Sequence, residues 1–177
     1  MTRNHQITFH ITAKTIDQKW FKKPMSKMWE ELLESLSLAH SIHGGDIICF
    51  ILMNNRYHLL LKTKPTKLSK FLSFLDPAVF QRLNIQSIAS KTYLLHCYRY
   101  IYQSPSRARL VKRIEHYPYS TLFNLVQGRR APVPIHEKFG MPDEYKLHWL
   151  NKPVTSKEIR QVRYIDALKL PSPEIIL

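Results

Sequence analysis

The stretch Asp46-Ile-Ile-Cys-Phe-Ile-Leu-Met-Asn-Asn-Arg-Tyr-His-Leu-Leu-Leu-Lys-Thr63 decides how this chain is read. Its first half, Asp46 to Met53, is a continuous apolar run bounded by turn residues, as expected of a central strand covered on both faces. Asn54-Asn55 can reverse the chain, and Tyr57 to Leu61 follows at once as a second strand, so residues 46 to 63 read as a β-hairpin. Alternation in the second strand sets Arg56, His58 and Leu60 on one face and Tyr57, Leu59 and Leu61 on the other. The latter three suit a helix-covered face, which leaves His58 on an open one.

Upstream of the hairpin, Ile7 to Lys14 alternates, with Ile7, Phe9, Ile11 and Ala13 opposite Thr8, His10, Thr12 and Lys14, the pattern of a half-buried strand. From Ser26, an N-cap candidate, the period changes: Met28, Trp29, Leu32, Leu33, Leu36, Ala39 and Ile42 recur at three- and four-residue steps until Gly44-Gly45. Downstream, Thr66 to Leu75 carries Leu68, Phe71, Leu72 and Leu75 at helical spacing and stops at Asp76-Pro77. Phe80 to Ser90 alternates weakly as a fourth strand, and Lys91 to Tyr102 fits a helix ending before Ser104-Pro105. The order β-α-β-β-α-β predicts an α+β, ferredoxin-like sheet with two helices on one face, the other face free for a ligand, and an extra helix following it.

Beyond about residue 128 the composition shifts. Arg129-Arg130-Ala-Pro-Val-Pro134 and the proline-spaced stretch after it predict an extended arm, and Ile159, Val162, Ile165 and Leu168 predict a last helix from Ser156. The expected division is a ferredoxin-like domain over 1–128 and an arm with a helix over 129–177.

At 177 residues the chain has the size of one domain, and its 44% hydrophobic content and mean hydropathy of −0.29 are those of a globular protein. Its net charge of +14 points to a polyanionic partner, nucleic acid first. Neither a P-loop nor a dinucleotide fingerprint occurs among its 4 glycines. Cys49 and Cys97 stand in apolar or aromatic runs without C-x-x-C spacing, as core thiols of a reducing compartment do. No apolar leader opens the sequence, and the longest apolar run, Ile47 to Met53, is too short to cross a bilayer. The expectation is a soluble, cytoplasmic protein with no membrane partner.

Between residues 91 and 130 stand Lys91, Arg99, Arg107, Arg109, Lys112, Arg113, Arg129 and Arg130, against the one acid Glu115. Tyr93, Tyr98, Tyr100, Tyr102, Tyr117, Tyr119 and Phe123 interleave with them. Cations for phosphates and rings for bases make a single-strand binding surface; the competing account is a solvated basic face over ordinary aromatic core, and the charge of the whole chain favours the first. Within the helix, Tyr98 and Tyr102 share a face at i,i+4 while Tyr100 points away.

Two motifs carry a family resemblance: Phe50-Ile-Leu-Met-Asn-Asn-Arg-Tyr-His-Leu-Leu-Leu61, and Tyr98-Arg-Tyr-Ile-Tyr-Gln-Ser-Pro-Ser-Arg-Ala-Arg-Leu-Val111. With the opening Phe9-His-Ile-Thr-Ala-Lys14 and the later Tyr117-Pro-Tyr-Ser-Thr-Leu122, they resemble the single-tyrosine HUH transposases, especially the REP-associated tyrosine transposases, from about Ile7 to Gly128. The resemblance implies DNA transposition as the activity of a mobile element: a tyrosine, here Tyr100, cleaves single-stranded or hairpin DNA, leaves a 5′-phosphotyrosine, and a 3′-hydroxyl later rejoins it. It also implies a divalent cation, magnesium or manganese, held by two strand histidines and a polar side chain on the tyrosine helix. Only His58 of that set is kept. The first histidine is Arg56, whose guanidinium cannot coordinate a metal, and the helix asparagine is Ser104, a weak ligand. His10, on a neighbouring strand of the expected sheet, is the substitute ligand.

These departures set an active transposase, with a weakly held cation, beside a catalytically silent descendant that only binds nucleic acid. Arg56 would then hold a DNA phosphate in place of the metal, or mark decay of an unused site. A third reading, an RNA-binding module of the same fold, lacks the aromatic strand signature it requires. Since relatives act both as monomers and as dimers, a homodimer is also open.

Overall fold

The computed structural model describes residues 5–15, 19–75, 80–128, 133–136, 139–153 and 155–156. Four strands, β1 (Ile7–Thr15), β2 (Asp46–Met53), β3 (Arg56–Thr63) and β4 (Phe80–Ile88), form one antiparallel sheet in the order β2-β3-β1-β4. Helices α1 (Met25–His43) and α2 (Pro65–Leu72) connect them, followed by α3 (Lys91–Tyr102), α4 (Ser104–Arg107), α5 (Thr121–Val126) and α6 (Asp143–Asn151). This is the α+β, ferredoxin-like architecture expected.

The apolar alternation fixes which side of the sheet the first two helices cover. Phe9, Ile11 and Ala13 of β1, Phe50 and Leu52 of β2, and Tyr57, Leu59 and Leu61 of β3 share one core with Met28, Leu32 and Leu36 of α1 and Leu68 and Phe71 of α2. Trp29 stacks on Phe50 with ring centroids 5.4 Å apart. Ile42, read as part of the inner stripe, is instead exposed. Helix α1 starts at Met25 with Pro24 at the N-cap, so Ser26 lies in the first turn and caps nothing. Proline suits the start because the N–H it lacks would have no helical partner. Gly44, at φ 69, ends the helix with its N–H on the His40 carbonyl, a conformation that disfavours a Cβ.

The opposite face, expected to be free, is largely covered. A second core joins Ile48, Cys49, Ile51 and Met53 of β2 and Leu60 of β3 to Tyr93, Cys97, Tyr98, Ile101 and Tyr102 of α3, together with Ile114, Tyr117, Leu122 and Leu150. Covering both faces of β2 explains its uninterrupted apolar run. Its outer edge is occupied too. The Leu52 N–H donates to the Tyr119 carbonyl at 2.9 Å, the Tyr117 hydroxyl to the Leu52 carbonyl at 2.8 Å, and the Phe50 N–H to Thr121 Oγ1 at 3.0 Å. The Tyr117-Pro-Tyr-Ser-Thr-Leu122 motif is thus an edge cap, which removes a template for unwanted strand pairing. Of the expected arm, Val133 is fully buried in the first core and the His136 N–H donates to the Ile47 carbonyl at 2.7 Å. The helix expected from Ser156 lies, beyond that residue, outside the described residues. Helix α6 carried no clear signal in the sequence, and it reaches the second core through Leu150. No helix among the described residues is long and apolar enough to cross a membrane.

Candidate functional site

Where β3 leaves the Asn54-Asn55 turn, the sheet meets the end of α3. A pocket of about 450 Å³ opens there, lined by Trp20, Arg56, His58, Tyr100, Ser104 and Arg107 together with the turn itself. Strand alternation turns Arg56 and His58 to the same side. Tyr98 and Tyr102 are buried and meet edge to face at 4.8 Å, while Tyr100, half a turn away, is half-buried and faces the pocket. The separation of the three tyrosines expected from helical spacing is therefore present.

The pocket is cationic. The Arg107 guanidinium lies over the Tyr100 ring, 3.9 Å from its centroid, and donates to Ser104 Oγ at 3.0 Å. Ser104 Oγ in turn donates to the Tyr100 carbonyl at 3.2 Å. Arg56 Nε donates to Asn55 Oδ1 at 3.1 Å, which steadies the guanidinium at the turn. The serine hydroxyl and the tyrosine face thus both engage Arg107.

Beneath the pocket, His58 is buried rather than on an open face. Its Nδ1 lies 3.3 Å from His10 Nε2 and 3.0 Å from Thr12 Oγ1, and the two imidazoles stack at 5.5 Å. The sheet register accounts for the meeting: Thr12 is opposite His58, and His10 is two pairs along on the same face, opposite Leu60. Burial pushes the His10 pKa down to about 4. Burial also holds His58 well below the usual histidine range, helped by His10 and by the positive charges of Arg56, Arg107 and Lys14. Both rings are neutral near pH 7. Across the sheet from His10 stands Gln86, buried, with no partner for either amide atom among the described residues.

This donor set does not suit magnesium or manganese as arranged, because its imidazoles meet each other, its hydroxyls are engaged and no carboxylate among the described residues joins them. It offers two touching imidazoles and already-engaged hydroxyls, within reach of three fixed positive charges. Among the described residues, no group of three or more His, Cys, Asp or Glu side chains is placed to hold a metal ion.

The remaining basic residues divide. Arg107, Arg109, Lys112 and Arg113 are exposed on α4 and the turn after it, although Arg113 Nε pairs with Glu115 Oε1 at 2.5 Å. Arg99 corrects the sequence reading. It is buried in α3, donates to the Lys152 and Pro153 carbonyls, and lies over the Trp149 ring at 5.5 Å. Its buried guanidinium ties down the chain after α6. Arg129 and Arg130 lie outside the described residues. Trp20 was missed because it belongs to no motif, and Thr12 because a threonine beside a histidine carries no signal of its own.

No family model and no curated protein matches the chain. Among solved structures it is similar to one described as the REP-associated tyrosine transposase bound to a REP hairpin. The likeness has a TM-score of 0.56 and 14% identity, and covers 75% of this chain and 87% of the other. At that identity it shows the fold alone.

Proposed function

We propose that this protein binds single-stranded or hairpin DNA, with a backbone phosphate held at the pocket by Arg56 and Arg107. One observation carries the reading: two motifs some forty residues apart bring Arg56, His58, Tyr100, Ser104 and Arg107 to the walls of one basic pocket. The fold shared with a transposase that binds a hairpin, and the chain's charge of +14, support the same partner. Guanidinium groups fit phosphate oxygens with paired N–H donors and keep their charge at every physiological pH. They replace the electrostatic part of a metal's role at the phosphate without coordinating anything.

A second reading, strand cleavage, is favoured by the position of Tyr100 beside those arginines. In that step Tyr100 Oη forms a bond to phosphorus, the bond from phosphorus to the 3′ oxygen breaks, and the phenolic proton ends on the departing oxygen. The products are a 5′-phosphotyrosine and a free 3′-hydroxyl, and the reverse attack rejoins the strand. Without a metal, charge on the phosphate is stabilised only by the guanidiniums, so the step is slow. Incubation with an end-labelled hairpin tests both readings. Salt-sensitive binding with no denaturation-resistant adduct supports the binding protein; an adduct lost in Tyr100→Phe supports cleavage; absence of binding at low salt rejects both.

A further inference from the structure

Trp20 is 74% exposed, an unusual placement for an indole, and it stands at the wall of the pocket that holds Arg56 and Arg107. Its neighbours on both sides are fixed. The Lys19 carbonyl accepts from Thr15 Oγ1 at 2.6 Å, the Phe21 N–H donates to the Asn54 carbonyl at 3.1 Å, and the Phe21 ring packs edge-on against Phe80 at 5.6 Å. The backbone is therefore pinned to the turn between β2 and β3 while the indole is held out over the pocket. An exposed apolar side chain by itself needs no explanation. An exposed aromatic face on a pinned backbone beside two guanidiniums is the arrangement that receives a nucleotide, the cations taking the phosphate and the ring taking the base.

We propose that Trp20 is a stacking platform for one unpaired base, so that the pocket selects a nucleotide outside a duplex. This rests on the phosphate-binding reading above and specifies its ligand. A base paired inside a helix keeps both faces against its neighbours, whereas an extrahelical one has a face to offer the indole. Selection is then for strandedness and not for sequence, because every base has such a face.

The experiment compares the full chain with Trp20→Ala and Trp20→Phe, using three probes: an oligothymidylate of about ten nucleotides, near the usual site size for such surfaces, the same strand with abasic sites, and a blunt duplex of equal charge. Wild type is expected to bind the intact strand roughly tenfold more tightly than the abasic one, the scale of one base–aromatic stack. Trp20→Ala should lose that tenfold difference, Trp20→Phe should keep most of it, and duplex affinity should be equal in all three proteins. Indole emission should be quenched by the intact strand in wild type and not in Trp20→Phe, since Trp29 is stacked in the core and Trp149 lies against Arg99. If Trp20→Ala keeps the preference for the intact strand, or if it changes only self-association of the protein, the platform is refuted while phosphate binding stands. If wild type binds none of the probes, the platform and the proposed function fall together. Because the side chain is exposed, the substitutions should leave the melting temperature unchanged, which confirms that the variants are folded.

Discussion

The two faces of the sheet are built on different rules. Toward α1 and α2, every inward position of β1 and β3 from Phe9 to Ala13 and from Tyr57 to Leu61 is apolar, and the result is a continuous core. Toward α3, the covered positions begin as apolar ones on β2 and become polar across the sheet: His58 on β3, His10 and Thr12 on β1, and Gln86 on β4, all buried. The first face stabilises the fold by removing hydrocarbon from water. The second keeps polar groups in place under a cationic pocket, at a cost met in part by the hydrogen bonds among His10, Thr12 and His58, while Gln86 makes none among the described residues. Substitutions on the first face should therefore act on stability, and substitutions around the second on pH response and on ligands.

The largest effect is expected on the first face. Phe50 is fully buried between Trp29 and Tyr57, whose rings lie 5.4 and 5.6 Å away. Phe50→Ala removes an aromatic ring from a site with little room to collapse and should cost about 3–5 kcal/mol, read by chemical denaturation. A loss below about 1 kcal/mol would mean that the two helices close over the gap and that this face is not rigidly packed.

Next comes the histidine pair, which gives the second face a pH dependence the first lacks. Both pKa values are lowered on folding, so as pH falls through 6.5, the ordinary histidine value, the unfolded chain takes up protons before the native one does. Stability is full above about pH 6.5 and declines below it, for His10 down to about pH 4 and for His58 further. His10 alone corresponds to a loss on the order of 3 kcal/mol over that range. Thermal melts from pH 7.5 to 4.5 should show the decline, and His10→Asn should flatten it. Identical slopes in wild type and variant would place the cause of acid sensitivity elsewhere.

Much of the first face was legible in the sequence and much of the second was not, for one physical reason. Periodicity reports where apolar side chains recur, and on the α1 side burial and apolarity coincide, so the strands, their facing and the two helices on that side follow from the pattern. His10 and Thr12 read as solvent-facing because they are polar; the sheet buries them because α3 and the rest of the second core lie over that side. Arg99 was read as a DNA contact because a cation in a basic stretch looks like its neighbours, and only the chain after α6, far along the sequence, explains it. The pocket itself was legible through the two motifs, which nominated Arg56, His58, Tyr100 and Ser104 together. Trp20 was not, since nothing in Lys19-Trp20-Phe21 says which aromatic ring is held outside.

A smaller effect separates arginines that serve the ligand from the one that serves the fold. Arg56→Ala with Arg107→Ala should change stability by less than about 1 kcal/mol, as surface substitutions do. The same pair should make the log-log salt dependence of hairpin binding shallower by roughly 0.9, the share of the one phosphate the two arginines hold. Arg99→Gln should do the reverse, lowering the melting temperature while leaving the salt slope as it is. If Arg99→Gln flattens the slope as much as the double variant, the buried guanidinium is released to DNA and the division drawn here is wrong.

The smallest expected effect is that of a divalent cation, and its smallness follows from the second face as built. Anything that binds only the native state stabilises it by RT ln(1 + L/Kd), with L the free ligand concentration, and so raises its melting temperature. With two imidazoles in mutual contact, Ser104 Oγ engaged by Arg107, and three positive charges around His58, manganese or magnesium at millimolar concentration should leave the melting curve of wild type unmoved. Arg56→His with Ser104→Asn removes one of those charges, sets two imidazoles on one side of β3 two residues apart, and adds an amide oxygen on the helix side of the pocket. That variant should gain a manganese-dependent rise in melting temperature, and a chelator should reverse it. A rise of equal size in wild type would show that His10 and His58 hold the ion between them despite the surrounding charge. No rise in either protein would mean that the α3 side chains stand too far from β3 to complete a site, leaving the guanidinium pair as the pocket's sole means of holding a phosphate.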